Sequence, residues 1–86
     1  MLQTFAGRVG EQFRIEIDAT TTIATTLASA DSARGTGFSL VFTGPVEPLL
    51  PQRTYRMVHD ELQSFDIFIV PIGRDDHGVR YEAVFN

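Results

Sequence analysis

Ser64, Phe65, Asp66, Ile67, Phe68, Ile69, Val70, Pro71 and Ile72 form the densest apolar run in the chain. Successive side chains on a strand alternate sides, so Phe65, Ile67 and Ile69 share one face and Phe68, Val70 and Ile72 the other. β-Branched and aromatic residues suit a pleated surface better than a helix, and a strand apolar on both faces belongs in the middle of a sheet. Pro71 has no N–H to give a ladder and is expected to end the pairing. The rest of the chain must then supply strands on either side.

Immediately upstream, Arg53 to His59 reads as a strand with Tyr55, Met57 and His59 on one face. Setting that face beside the first pairs Met57 with Ile67, Tyr55 with Ile69 and His59 with Phe65. This register requires an odd loop, Glu61, Leu62 and Gln63, ending in a left-handed residue at Gln63. Downstream, Gly73 to Gly78 reads as a polar turn, and Val79 to Phe85 as the last strand, with Val79, Tyr81, Ala83 and Phe85 on one side.

Toward the N-terminus the same period recurs. Glu11 to Asp18 turns Phe13, Ile15 and Ile17 inward and Gln12, Arg14 and Glu16 to water. Ala19 to Ala30 has Ile23 and Leu27 four apart, as a helix would, but its five threonines favour a strand. Asp31 to Gly37 is a loop, and Phe38 to Thr43 a strand with Phe38, Leu40 and Phe42 inward. Gly44, Pro45, Pro48 and Pro51 mark a crossing without ladders. In the lead-in Thr4 to Gly10, one helical turn places both Phe5 and Val9 on the core. The expectation is an all-β fold, a small antiparallel sandwich or half-open barrel of about six strands, forming one domain over residues 1–86. No internal repeat, linker or low-complexity segment is apparent.

Composition excludes more than it assigns. The chain has 86 residues, 43% hydrophobic and 21% charged, the balance of an ordinary globular domain with one core. No apolar run approaches the roughly 20 residues that span a bilayer, and a signal-peptide pattern is lacking, so a cytoplasmic location is expected. A net charge of −4 with dispersed cations argues against nucleic acid as a partner. All seven cations are arginine and cysteine is absent, which removes lysine and thiol chemistry.

Few residues carry reactive potential. Asp75, Asp76 and His77 place two carboxylates beside an imidazole, the raw material of a divalent-ion site or a general base. Three adjacent residues cannot close a coordination shell, and the segment equally suits a solvated hairpin turn. His59, followed by Asp60 and Glu61, offers a second imidazole, expected on the strand's partly buried rim and hydrogen-bonded to the next turn. Arg53, Tyr55 and Arg56 are residue types enriched in interfaces, although Tyr55 in the core with both arginines on the surface is the simpler arrangement. Thr20, Thr21, Thr22, Thr25 and Thr26 are expected on an exposed strand face. Gly35, Thr36 and Gly37 are too short for a phosphate loop, and the four serines show no nucleophile elbow.

A wider set of residues resembles a known family. Leu50, Pro51, Gln52, Thr54, Tyr55 and Arg56, then His59, Glu61, Leu62, Phe65, Phe68, Val70, Pro71, Ile72 and Gly73, then Tyr81 to Asn86 look like a family of small bacterial domains of unknown function. Phe5, Val9, Gly10 and Phe13 extend the likeness over most of the chain. Asp60, Gln63 and Arg53 depart from the family's pattern of a proline after the histidine, a loop glycine and a glycine before the threonine. Members are often encoded beside phage-tail-collar-like proteins, which implies a part in an assembly and no particular activity.

The expected function is therefore a non-catalytic structural or protein-interaction module without cofactor, an accessory part of a phage-tail-like assembly if the resemblance is followed. Arg53, Tyr55, Arg56, His59 and Phe85 are its candidate contact residues. The alternative is a small metal-dependent hydrolase or ligand-binding protein using His77, Asp75 and Asp76. The expected partner is a protein or a second copy joined through the edge of Val79 to Phe85, where Phe85 is hard to bury beside the terminus.

Overall fold

Apolar residues at period two build six strands: β1 (Gln12–Glu16), β2 (Thr22–Ser32), β3 (Phe38–Gly44), β4 (Arg53–Val58), β5 (Phe65–Asp75) and β6 (Gly78–Phe85). A single helical turn, α1 (Leu2–Ala6), precedes them. The structure, a computed structural model, describes residues 2–33 and 35–85. The strands pair antiparallel in the order β1-β2-β3-β6-β5-β4 and close on themselves, so the all-β fold is a shut barrel rather than a sandwich or a half-open one. Phe13, Ile15, Leu27, Leu40, Phe42, Met57 and Ile69 fill it, each fully buried.

Closure changes the meaning of the long apolar run. The set Phe65, Ile67 and Ile69 faces the core as expected, but Phe68 and Ile72 are each 50% exposed. A strand in a barrel this small has one core face, so the second apolar face of β5 is turned to solvent. Pro71 does not end the strand; it lies opposite Tyr81, and the register shifts between Pro71 and Gly73 in a bulge that accommodates its missing N–H.

The β4–β5 hairpin is slipped from the expected register. Met57 faces Phe65, Tyr55 faces Ile67 and Arg53 faces Ile69, which leaves His59 beyond the ladder. The cause is local: His59 Nδ1 accepts the Glu61 N–H at 3.0 Å, curling the chain before it can pair. Among the described residues only glycines have positive φ, so Gln63 is not left-handed and the three-residue loop is not formed.

Three further expectations are corrected. Phe5 is 2% exposed but Val9 is 49% exposed, because α1 stops at Ala6 and the four-residue spacing no longer shares a face. The segment after α1 is instead strapped to β2, Gly10 N–H donating to the Leu27 carbonyl and Leu27 N–H to the Glu11 carbonyl. In β2, a strand as the threonines suggested, Thr25 is buried and its hydroxyl donates to the Phe13 carbonyl at 2.8 Å. Nor is β6 an edge. It pairs with β3 over Phe38 to Gly44 and with β5 from Glu82 to Gly78. Phe85 stacks on Phe38 with ring centroids 4.6 Å apart, so sheet extension through Val79 to Phe85 has no free edge strand to use.

The barrel also contains a repeat. Two three-stranded meanders, β1-β2-β3 and β4-β5-β6, meet through the β1–β4 and β3–β6 ladders. Ile15 faces Met57 at the centre of one ladder, and Val41 faces Glu82 at the centre of the other. An approximate two-fold relation between these centres exchanges Phe13 with Tyr55, Arg14 with Arg56, Thr25 with Ile67 and Leu40 with Tyr81. Each middle strand carries one bulge, in β2 between Leu27 and Ser29 and in β5 between Pro71 and Gly73. Such bulges supply the bend that closing a small barrel requires.

Candidate functional site

The densest polar cluster forms where the strap after α1 meets the end of β4. His59 is 8% exposed, with its ring 4.6 Å from that of Phe13. Because the Glu61 N–H donates to Nδ1, the ring proton sits on Nε2, which donates to Glu11 Oε1 at 2.7 Å. Arg8 closes the circuit: one terminal nitrogen reaches Glu61 Oε1 at 2.7 Å and Glu11 Oε1 at 3.2 Å. Hydrogen bonding to Glu61 first, and then to Glu11, raises the Arg8 guanidinium above its ordinary value. The bond from His59, joined by Arg8, holds the Glu11 carboxyl below its ordinary range.

Glu11, His59 and Glu61 bring possible metal-ligand atoms within 4.8 Å of one another, beside a cleft that Gln12 and Asp60 also line. The chemistry of the set opposes that use. A cation would need the Nε2 lone pair, which carries a proton as long as Nδ1 accepts from Glu61, and the position between the carboxylates is held by the Arg8 guanidinium. A His donor normally ligates through one nitrogen while the other donates, and here the other nitrogen is an acceptor. The cluster is thus arranged as a latch, tying residues 8–11 to the β4–β5 connection. Arg14 adds a bond to Asp60 at 2.9 Å beside it.

At the opposite hairpin, Asp75, Asp76 and His77 form the β5–β6 turn. Asp75 Oδ1 accepts the His77 N–H at 2.8 Å and Oδ2 accepts from Arg80 at 3.1 Å. The His77 N–H is the main reason the Asp75 carboxyl lies below its ordinary range. Both Asp75 oxygens are therefore spent on the turn, while Asp76 and the His77 side chain face solvent.

The five candidate contact residues do not come together as one patch. Tyr55 is buried, its hydroxyl donating to the Pro51 carbonyl, and the Arg53 guanidinium covers its ring at 4.7 Å. Arg56 points to the other face of β4, near Glu16 at 3.9 Å. His59 belongs to the latch, and Phe85 lies with Phe5 and Phe38 in an aromatic cluster. Among the described residues no buried side-chain nitrogen or oxygen lacks a hydrogen-bond partner.

Two surface features went unread in the sequence. On the outside of β2, β3 and β6 lies a groove of about 750 Å³, lined by Thr22, Ala24, Thr26, Thr43, His77 and Arg80 among others. On the outside of β5 and β6, Phe68 and Val84 are 50% and 57% exposed. Their outward parity was visible in the period of each strand, but only closure of the barrel reveals that nothing covers them.

Residues 1–85 match the family model described as Domain of unknown function (DUF6916). No curated protein and no solved structure matches the chain. No helix among the described residues is long and apolar enough to cross a membrane.

Proposed function

The chain belongs to this family of unknown function, and we propose that it acts as a non-catalytic protein-interaction module whose contact surface is the outer face of β5 and β6. One contrast carries the reading. The imidazole of His59 and the carboxylates of Glu11 and Asp75 are spent on hydrogen bonds that hold the fold, whereas Phe68 and Val84 stand exposed on the neighbouring strands β5 and β6. General acid–base catalysis needs a group within reach of substrate and free to exchange a proton, and both nitrogens of the buried imidazole are committed. Exposed aromatic and aliphatic side chains on a rigid sheet are, conversely, the usual anchors of a protein contact.

The resemblance to domains encoded beside phage-tail-collar-like proteins makes tail components the first partners to test. Immobilised chain should retain the product of a neighbouring gene, and Phe68→Ser should release it while the melting curve stays close to that of the parent. Retention unchanged by Phe68→Ser would move the contact elsewhere on the barrel. The metal-dependent alternative predicts a gain of a few kcal/mol in stability at saturating divalent ion. We expect no thermal shift with any such ion, and a clear shift would restore that alternative.

A further inference from the structure

We propose that the barrel opens and closes at one joint, the seam between β1 and β4, and that charged side chains strung along this seam hold it shut. Closure rests there on the shortest ladder among the described residues: Arg14 faces Val58, Ile15 faces Met57 and Glu16 faces Arg56. Every other neighbouring pair of strands is matched over five to seven residues. The two strands that meet at the seam are also the shortest, with five residues in β1 and six in β4. A short ladder has few backbone bonds to break, so a closed sheet parts there first. Parting at β1–β4 leaves every other ladder intact and turns the barrel into an open sheet with β1 and β4 at its edges.

Charge gathers at the same joint. Along the chain into β1, Arg8, Glu11, Arg14 and Glu16 alternate in sign. Across the seam Arg8 meets Glu61 at 2.7 Å, Arg14 meets Asp60 at 2.9 Å and Glu16 meets Arg56 at 3.9 Å, while Glu11 accepts from the His59 ring at 2.7 Å. Arg56 is shared, since Asp66 lies opposite it in β5, and its reach to Glu16 is the longest of these contacts. Among the described residues the remaining ion pairs are Arg8 with Glu11, on one side of the seam, and Arg80 with Asp75, in the β5–β6 hairpin. The other ladder that joins the two meanders, β3–β6, is the longest and has no ion pair across it, because Phe38–Gly44 contains no charged residue. The two joints are thus built differently, one by backbone bonds alone and the other by a brief ladder reinforced with charge. A single exposed ion pair is weak and salt screens it, but several that span one joint all oppose the same opening.

The test is amide hydrogen exchange of the full chain, read by NMR at neutral pH in low salt and in sodium chloride at about 1 M, where the screening length is about 3 Å. Amides bonded across β1–β4 should exchange at least about tenfold faster than those bonded across β3–β6, as a local opening does relative to global unfolding. The added salt should widen that ratio by about threefold or more, since it weakens the joint that charge reinforces and not the one that lacks it. Arg14→Glu should speed exchange at the seam and blunt its response to salt, and combining it with Asp60→Arg should restore both, because the reversed pair spans the same joint. Seam amides as slow as those of β3–β6, or a salt response equal at the two joints, overturn the proposal on the parent chain alone. So does a reversed pair that leaves exchange where Arg14→Glu put it. The outer face of β5 and β6 is no part of this seam, so the contact proposed above stands or falls separately.

Discussion

Two phenylalanines that the sequence places in the core should differ widely in what they contribute to stability. Phe5 lies in a one-turn helix and Phe68 in the longest apolar run, yet Phe5 is 2% exposed and Phe68 is 50% exposed. The Phe5 ring plugs one end of the barrel with its centroid 5.6 to 6.4 Å from those of Phe65, Phe38, Phe13 and Phe85. Phe5→Ala empties a ring-sized space that the closed sheet cannot collapse into, at a cost of about 3–5 kcal/mol. Phe68→Ala removes contacts from a side chain already half in water and leaves no cavity. Full burial of such a side chain contributes roughly 1.5–3 kcal/mol, so about 1 kcal/mol is the expected loss. For a domain of this size each kcal/mol moves the midpoint by about 4–8 °C. Thermal melts followed by circular dichroism should thus place Phe5→Ala at least about 12 °C below the parent and Phe68→Ala within about 8 °C of it. Equal losses, or a larger loss for Phe68→Ala, would refute the assignment of inner and outer faces in β5.

Gly78→Ala should be severely destabilising, by about 3 kcal/mol or more in urea melts, because Gly78 has a φ of 133° and an added Cβ would clash with the Gly44 carbonyl oxygen. His59→Ala leaves the Glu61 N–H without its acceptor and Glu11 with Arg8 alone, and should cost about 2–4 kcal/mol, while nitrogen-15 spectra of the parent should show His59 in the Nε2–H form. The Glu11, Asp18 and Asp75 carboxyls are all lowered in the fold, by His59, by the Thr20 N–H and by the His77 N–H respectively. The unfolded chain therefore takes up protons first on acidification. Stability present above the ordinary carboxylate range should be lost as pH falls through the lowered folded values. Asp75→Asn keeps an acceptor for the His77 N–H and should flatten part of that acid dependence in melts across pH.

Inner faces were legible because burial on one side of a strand writes a period of two into the residues. Phe13 and Ile15, Phe38, Leu40 and Phe42, and Val79, Tyr81 and Ala83 all point inward as that period requires. Outer faces were not. Phe68 and Ile72 repeat the apolar signal on the side that faces water, and no local rule separates an apolar residue buried under a second sheet from one left exposed. The two-fold relation was hidden for a similar reason. Equivalent positions share a direction but not a residue type, as with Thr25 and Ile67 or Leu40 and Tyr81. The latch was half legible: the bond of His59 to the following turn could be anticipated from neighbouring residues. Its tie to Glu11 joins the residue before β1 to the residue after β4 and exists only once those strands pair.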